Sequence, residues 1–170
     1  MDTLVENHGT PYAWWYGQLM AYVLRLQEST RKKIEAFKAA HDFRPPVVGV
    51  HVRQTDKIGE AAYHKVEEYM SHVEEFYLKL SLTRPLTKKR VFVATDEPKV
   101  ITQFIKRFPT YTFIYDKKSA REAHELKSRS SSAALFDIVR DVYLLAESDF
   151  LVCTFSSGFC RGAFELMQTL

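Results

Sequence analysis

Four short strand-like runs punctuate this chain: V-V-G-V-H-V at 47–52, R-V-F-V-A-T at 90–95, Y-T-F-I-Y at 111–115 and D-F-L-V-C-T at 149–154. Longer segments separate them, several with helical patterning. Apolar runs without strict alternation suit strands buried on both faces. Strands that alternate with helices imply right-handed crossovers and a parallel sheet. The pattern therefore predicts an α/β fold, a Rossmann-like parallel sheet with flanking helices. A chain of 170 residues is long enough to bury such a core as one domain.

Ahead of the sheet, residues 1–44 read as a helical lead-in, with 45–170 as the sheet-forming domain. Tyr12, Trp15, Leu19, Tyr22, Val23 and Leu26 recur at three- and four-residue intervals, and Ser29 or Thr30 is placed to cap a second helix. From 65 to 82, Val66, Tyr69, Met70, Val73, Phe76, Tyr77 and Leu80 fall on one helical stripe. Glu97 and Pro98 open the next helix, because proline is favoured in a first turn. Residues 116–132 are polar, end in S-R-S-S-S, and read as a loop. A helix over about 133–147 and another opening near Ser157 complete the series.

In an open α/β sheet, ligands bind outside the carboxyl ends of the strands. Three of those ends are polar here. The first continues as H-V-R-Q-T-D-K-I-G-E, with His51, Arg53, Asp56, Lys57 and Glu60; the second ends at Asp96; the last runs into T-F-S-S-G before a helix. Arg53 can clamp a phosphate through two parallel hydrogen bonds, or it can form an ion pair with Asp56 or Asp96. Ser156 and Ser157 either cap the helix or, with its unpaired N–H groups, receive an anion. His51 shares a strand face with Arg53, although a lone strand histidine is more often a satisfied core residue. Asp56, Lys57 and Glu60 can be aimed into the crevice by a loop, as acid–base groups or as surface pairs.

Several function classes find no support. There is no Walker-type or dinucleotide glycine loop, no G-x-S-x-G elbow and no H-E-x-x-H pair, and Asp and His do not cluster as metal ligands. The net charge of +3 is too mild to argue for nucleic acid. Neither a membrane-length apolar stretch nor a signal-peptide pattern is present, so a soluble chain is expected. Cys153 and Cys160 have the wrong spacing for a zinc knuckle or a redox pair, which leaves buried thiols, favoured by composition, or a short disulfide.

The blocks G-V-H-V-R-Q-T-D-K-I-G-E-A-A-Y-H, V-E-E-Y-M-S-H-V-E-E-F-Y, V-F-V-A-T-D-E-P and D-F-L-V-C-T-F-S-S-G-F-C-R-G-A-F-E-L-M-Q-T-L resemble the α1,6-fucosyltransferase (core fucosyltransferase) family. So does the N-terminal W-W-Y-G-Q-L-M-A-Y-V-L-R. The likeness runs in order along nearly the whole chain and is weakest from 116 to 133. It implies the donor-binding lobe of a GT-B-like glycosyltransferase, which transfers fucose from GDP-fucose to the innermost N-acetylglucosamine of an N-glycan, with inversion, without a metal or other cofactor, in the Golgi lumen. The glycan or glycoprotein acceptor would be a partner of the full-length enzyme, with this chain a piece of it.

By the same resemblance, His51 and Asp141 hold the guanine nucleoside, Arg53 the diphosphate, and Ser157, with Ser156 beside it, lies at the phosphate-facing helix end. Glu60 matches the general base, Lys57 its neighbouring lysine, and Asp56 and Asp96 acidic positions of the crevice. Cys153 and Cys160 match a disulfide pair. Three departures stand out: Gln54 replaces a second arginine, Gly158 stands where glutamine is frequent, and one residue fewer separates Gly59 from Glu60. The alternatives are a truncated module that holds GDP or a GDP-sugar without turnover, and a structural domain with an internal polar network.

Overall fold

The computed structural model of the protein describes residues 11–54, 64–124 and 132–169. Strands β1 (Val47–Val52), β2 (Arg90–Thr95), β3 (Thr112–Ile114) and β4 (Phe150–Cys153) form one sheet in the order β3-β2-β1-β4. Every pairing is parallel, with His51 of β1 level with Ala94 on one side and Cys153 on the other. The expected α/β, Rossmann-like architecture is what forms.

The pleat sorts β1 into two faces. Val48, Val50 and Val52 join Val91 and Val93 in a core closed by α3 (Val66–Ser81) and α4 (Pro98–Arg107). The predicted stripe on α3 supplies Val66, Tyr69, Met70, Val73 and Tyr77 to that core. On α4 the Glu97 side chain accepts the Lys99 N–H at 3.1 Å, so the expected helix start is capped as well as proline-led. Val47, Phe92 and Ala94 face the other way, into a core with Ile34 of α2 (Glu28–Ala40), Leu144 and Leu145 of α6 (Ser132–Ala146), and Ala163 and Leu166 of α7 (Gly158–Met167). Gly49 lets this second layer close tightly: a Cβ there would stand 2.9 Å from Ser148 Oγ and 3.0 Å from Leu145 Cδ2.

The lead-in differs in detail from its sequence pattern. Helix α1 (Pro11–Val23) ends before α2 begins at Glu28, with Gln27 at the cap position and Ser29 and Thr30 inside the helix. The stripe of Tyr12, Trp15, Leu19, Tyr22 and Val23 faces outward, with Tyr22 81% exposed. What faces inward is Gly17, where a Cβ would meet Glu165 O of α7 at 2.2 Å. Close approach of two helix backbones needs a residue without a side chain, which hydrophobic periodicity cannot register.

Part of the expected loop at 116–132 is instead helix α5 (Lys117–His124). Asp116 explains it. Its Oδ1 accepts the N–H groups of Lys118 at 2.8 Å and Ser119 at 3.3 Å, satisfying orphan donors of the first turn.

Candidate functional site

The order β3-β2-β1-β4 means that the chain builds outward from β1 in one direction and then returns to β1's other edge with β4. That reversal puts a topological switch point between β1 and β4, where connections on opposite sides of the sheet leave a crevice. A cavity of about 160 Å³ opens beside it, over the ends of β1 and β2. Its walls include His51 of β1, Arg53 just after it, Asp96 after β2, Asp137 and Asp141 on α6, and Phe159 on α7.

His51 is 7% exposed and stacks on the Phe159 ring, centroids 4.7 Å apart and planes 19° from parallel. Burial pushes its imidazole down to about 4, with Asp96 opposing and Arg53 reinforcing the shift. The ring is therefore neutral at pH 7, and its buried Nδ1 has no hydrogen-bond partner among the described residues. Such an atom costs free energy unless something fills its valence. Asp96 ties the two strand exits together, its Oδ1 accepting the Gln54 N–H at 2.9 Å.

Asp141 forms the opposite wall. Its Oδ1 accepts from Arg140 Nε at 3.0 Å and Nη2 at 2.9 Å, while among the described residues Oδ2 accepts only a long 3.4 Å hydrogen bond from Ser119 Oγ. Burial pushes the Asp141 carboxyl up to about 6, with Asp137 and Asp116 adding to the rise and Arg140 pulling against it. The site thus combines a flat aromatic wall, a neutral imidazole, a carboxylate edge able to accept hydrogen bonds, and a guanidinium.

The β4–α7 turn lies alongside. A disulfide joins Cys153, the last residue of β4, to Cys160 in the first turn of α7, so the turn through Thr154–Ser157 is clipped at both ends. Ser157 holds the N-cap position with its N–H on Thr154 O at 3.0 Å. The residue is 1% exposed, and among the described residues its Oγ caps nothing and has no partner. Ser156 sits exposed beside it. Neither serine lines the cavity itself; Phe159, on the same helix, does.

A family profile described as the N- and catalytic domains of alpha-(1,6)-fucosyltransferase matches residues 1–170. The chain belongs to the α-(1,6)-fucosyltransferase family. Among named relatives, the alpha-(1,6)-fucosyltransferase of Drosophila melanogaster is 44% identical over 168 residues, 98% of this chain and 27% of that protein. The alpha-(1,6)-fucosyltransferase of Caenorhabditis elegans is 34% identical over 173 residues, 99% of this chain and 30% of the relative. The chain thus spans less than a third of these fucosyltransferases' length.

Of the residues singled out in the sequence, four come together in the cavity: His51, Arg53, Asp96 and Asp141. Asp56, Lys57 and Glu60 lie outside the described residues. Residue-by-residue reading missed Phe159, Asp137, Arg140 and Ser119. One signal was available: D-I-V-R-D puts Asp137 and Asp141 four apart on a helix, hence on one face, with Arg140 between them. Phe159 carried none, since its stacking on His51 depends on the α7 crossing.

Proposed function

We propose that this chain forms the donor-nucleotide lobe of an α1,6-fucosyltransferase, with the cavity at the switch point taking the guanine nucleoside of GDP-fucose. The observation that carries this reading is one cavity shared by a neutral buried imidazole, a carboxylate with an open oxygen, and a guanidinium. Guanine offers N–H donors along its N1 and N2 edge, which Asp141 Oδ2 can accept. Phe159 and Ile138 supply apolar surface for a planar base. The diphosphate then lies toward Arg53 and the α7 N-terminus, where fixed positive charge and backbone N–H groups favour an anion.

Glu60, which matches the family's general base as Lys57 matches its neighbouring lysine, takes the proton from the 6-hydroxyl of the innermost N-acetylglucosamine of an N-glycan. The freed oxygen attacks fucose C1 opposite the diphosphate, and the C1–O bond breaks with its electron pair moving onto GDP. Configuration inverts. Arg53 and the α7 end hold the growing charge without a metal ion. Asp96 lines the acidic side of the crevice, and Asp56 matches an acidic position of the family. The Cys153–Cys160 bond supports an oxidising compartment such as the Golgi lumen. A second reading, a module that holds GDP without turnover, is favoured by Gln54 in place of the family's second arginine.

Calorimetric titration with GDP, with and without EDTA, tests the site. Binding is expected to survive EDTA, to exceed that of ADP, and to fall at least about tenfold in Arg53→Ala, which removes charge-assisted phosphate bonds. Folded wild-type protein that ignores millimolar GDP would overturn the reading. Transfer from GDP-fucose to a core glycan, once binding is seen, separates the enzyme from the inert module.

A further inference from the structure

Arg140 stands behind the pocket wall, bonded to two residues that line it, Asp137 and Asp141. Its guanidinium, 4% exposed, donates through Nε and Nη2 to Asp141 Oδ1, and through Nη1 to Asp116 Oδ2 at 2.9 Å and Asp137 Oδ1 at 3.0 Å. One face lies over the Phe37 ring of α2, 4.7 Å from its centroid. Three carboxylates from α6 and the β3–α5 junction thus converge on one cation, and an aromatic ring from the lead-in backs it.

We infer that Arg140 is a positioning residue of the base subsite, fixing both the direction and the charge of the Asp141 carboxylate so that its Oδ2 is presented to the nucleobase. This rests on the nucleotide reading above. Geometry sets the direction. Arg140 occupies Oδ1 with two donors, which locks the carboxylate plane and leaves Oδ2, among the described residues, with the weak Ser119 contact alone. The electrostatic half follows from the crowding. Asp137 and Asp116 disfavour a further negative charge at Asp141, and Arg140 is the cation that opposes them. The other charged or titratable walls of the cavity are His51, Arg53 and Asp96, and His51 is neutral at pH 7.

The state of Asp141 decides which base fits. Ionised, it only accepts, and matches the N–H edge of guanine. Protonated at Oδ2, it presents an O–H donor there instead, and matches an acceptor such as adenine N1. By keeping Asp141 ionised, Arg140 becomes a determinant of guanine over adenine while touching neither.

Two substitutions move this balance in opposite directions. Arg140→Lys keeps a positive charge but cannot span three carboxylates, so the Asp141 carboxyl should titrate higher than in the wild type. Asp116→Asn keeps the α5 cap and removes a competing carboxylate, so it should titrate lower. Carbon-13 NMR of the Asp141 carboxyl in the free protein reads this directly and needs no nucleotide. GDP and ADP titrations through pH 6 then read the consequence. At neutral pH Arg140→Lys should lose about tenfold in GDP affinity, roughly one charged hydrogen bond, with the GDP-to-ADP preference shrinking and pyrophosphate binding unchanged. Asp116→Asn should extend the GDP preference to lower pH. Equal Asp141 titration in all three proteins, or shifts of the same sign, overturns the role of Arg140. A wild type that binds no GDP overturns the nucleotide reading instead, while the NMR titration still decides who orients Asp141.

Discussion

Two buried arginines sit at opposite ends of the sheet and are surrounded in opposite ways. Arg90 begins β2, at the amino ends of the strands, and donates through Nε and Nη2 to Asp42 Oδ2 at 3.1 and 2.9 Å. Lys88 reaches the same oxygen and Arg44 the other, so three cations share one carboxylate. Arg140, toward the carboxyl ends, has one cation shared by three carboxylates. The Arg90 hydrogen bonds and neighbouring cations hold the Asp42 carboxyl below its ordinary range, whereas burial and crowding push Asp141 up to about 6. The cation-rich cluster ties down a chain turn, with Asp42 in the left-handed region at φ 54°. The carboxylate-rich one borders the cavity. Which charge is in excess separates scaffold from site.

The largest expected effect comes from removing the arginines themselves. Arg140→Met strands three carboxylates around a buried gap and should cost about 3–5 kcal/mol in urea unfolding, as for a buried pair that loses one partner. Arg90→Met should cost less, because Asp42 keeps Lys88 and Arg44. Equal losses would break the comparison.

Next in size is an effect of pH. Asp141 has its folded pKa raised to about 6 from 3.8, so between those values the native state binds more protons than the unfolded chain, and stability falls as pH rises. His51 has its folded pKa lowered to about 4 from 6.5, so the unfolded chain binds more protons there and stability rises with pH. Each contributes about 3 kcal/mol, with opposite signs. Denaturant midpoints of the wild type should therefore change little between pH 4 and 6 on account of this pair. In Asp141→Asn the His51 contribution is unmasked, and stability should climb by about 3 kcal/mol from pH 4 to 6.5. A flat profile in that variant would remove the opposition between the two walls of the cavity.

The smallest change is expected at the scaffold end. The depressed Asp42 carboxyl supports the fold above its unfolded value of 3.8, and that support is lost as pH falls through the folded value. Asp42→Asn should weaken the protein modestly at neutral pH, flatten its acid denaturation and leave GDP titrations unchanged. Loss of GDP binding there would show that the two ends are not separable.

Much of this frame is legible in the residues alone. The four strands, the α3 stripe and the Pro98 helix start all rest on local patterning, and the structure keeps them. Helix α5 was not legible in that way, because A-R-E-A-H offers no apolar stripe and the decisive residue is a capping aspartate just outside it. His51, Arg53 and Asp96 could be expected near one another, since each stands at or just beyond the carboxyl end of a strand. The hub at Arg140 was legible only in its α6 part, through D-I-V-R-D; Asp116 and Phe37 come from the β3–α5 junction and α2, and only the fold brings them in.

The join between lead-in and sheet has a consequence for how such a protein can be recombined. Gly17 admits the α7 backbone, Tyr143 donates to Leu24 O at 2.7 Å, Lys38 pairs with Glu147, and the Phe37 ring backs Arg140. A chimaera cut near residue 44 would separate Phe37 from the guanidinium it covers. Grafting a relative's helices onto this sheet would then exchange part of the pocket's support along with them, so the two segments are heritable as a matched pair.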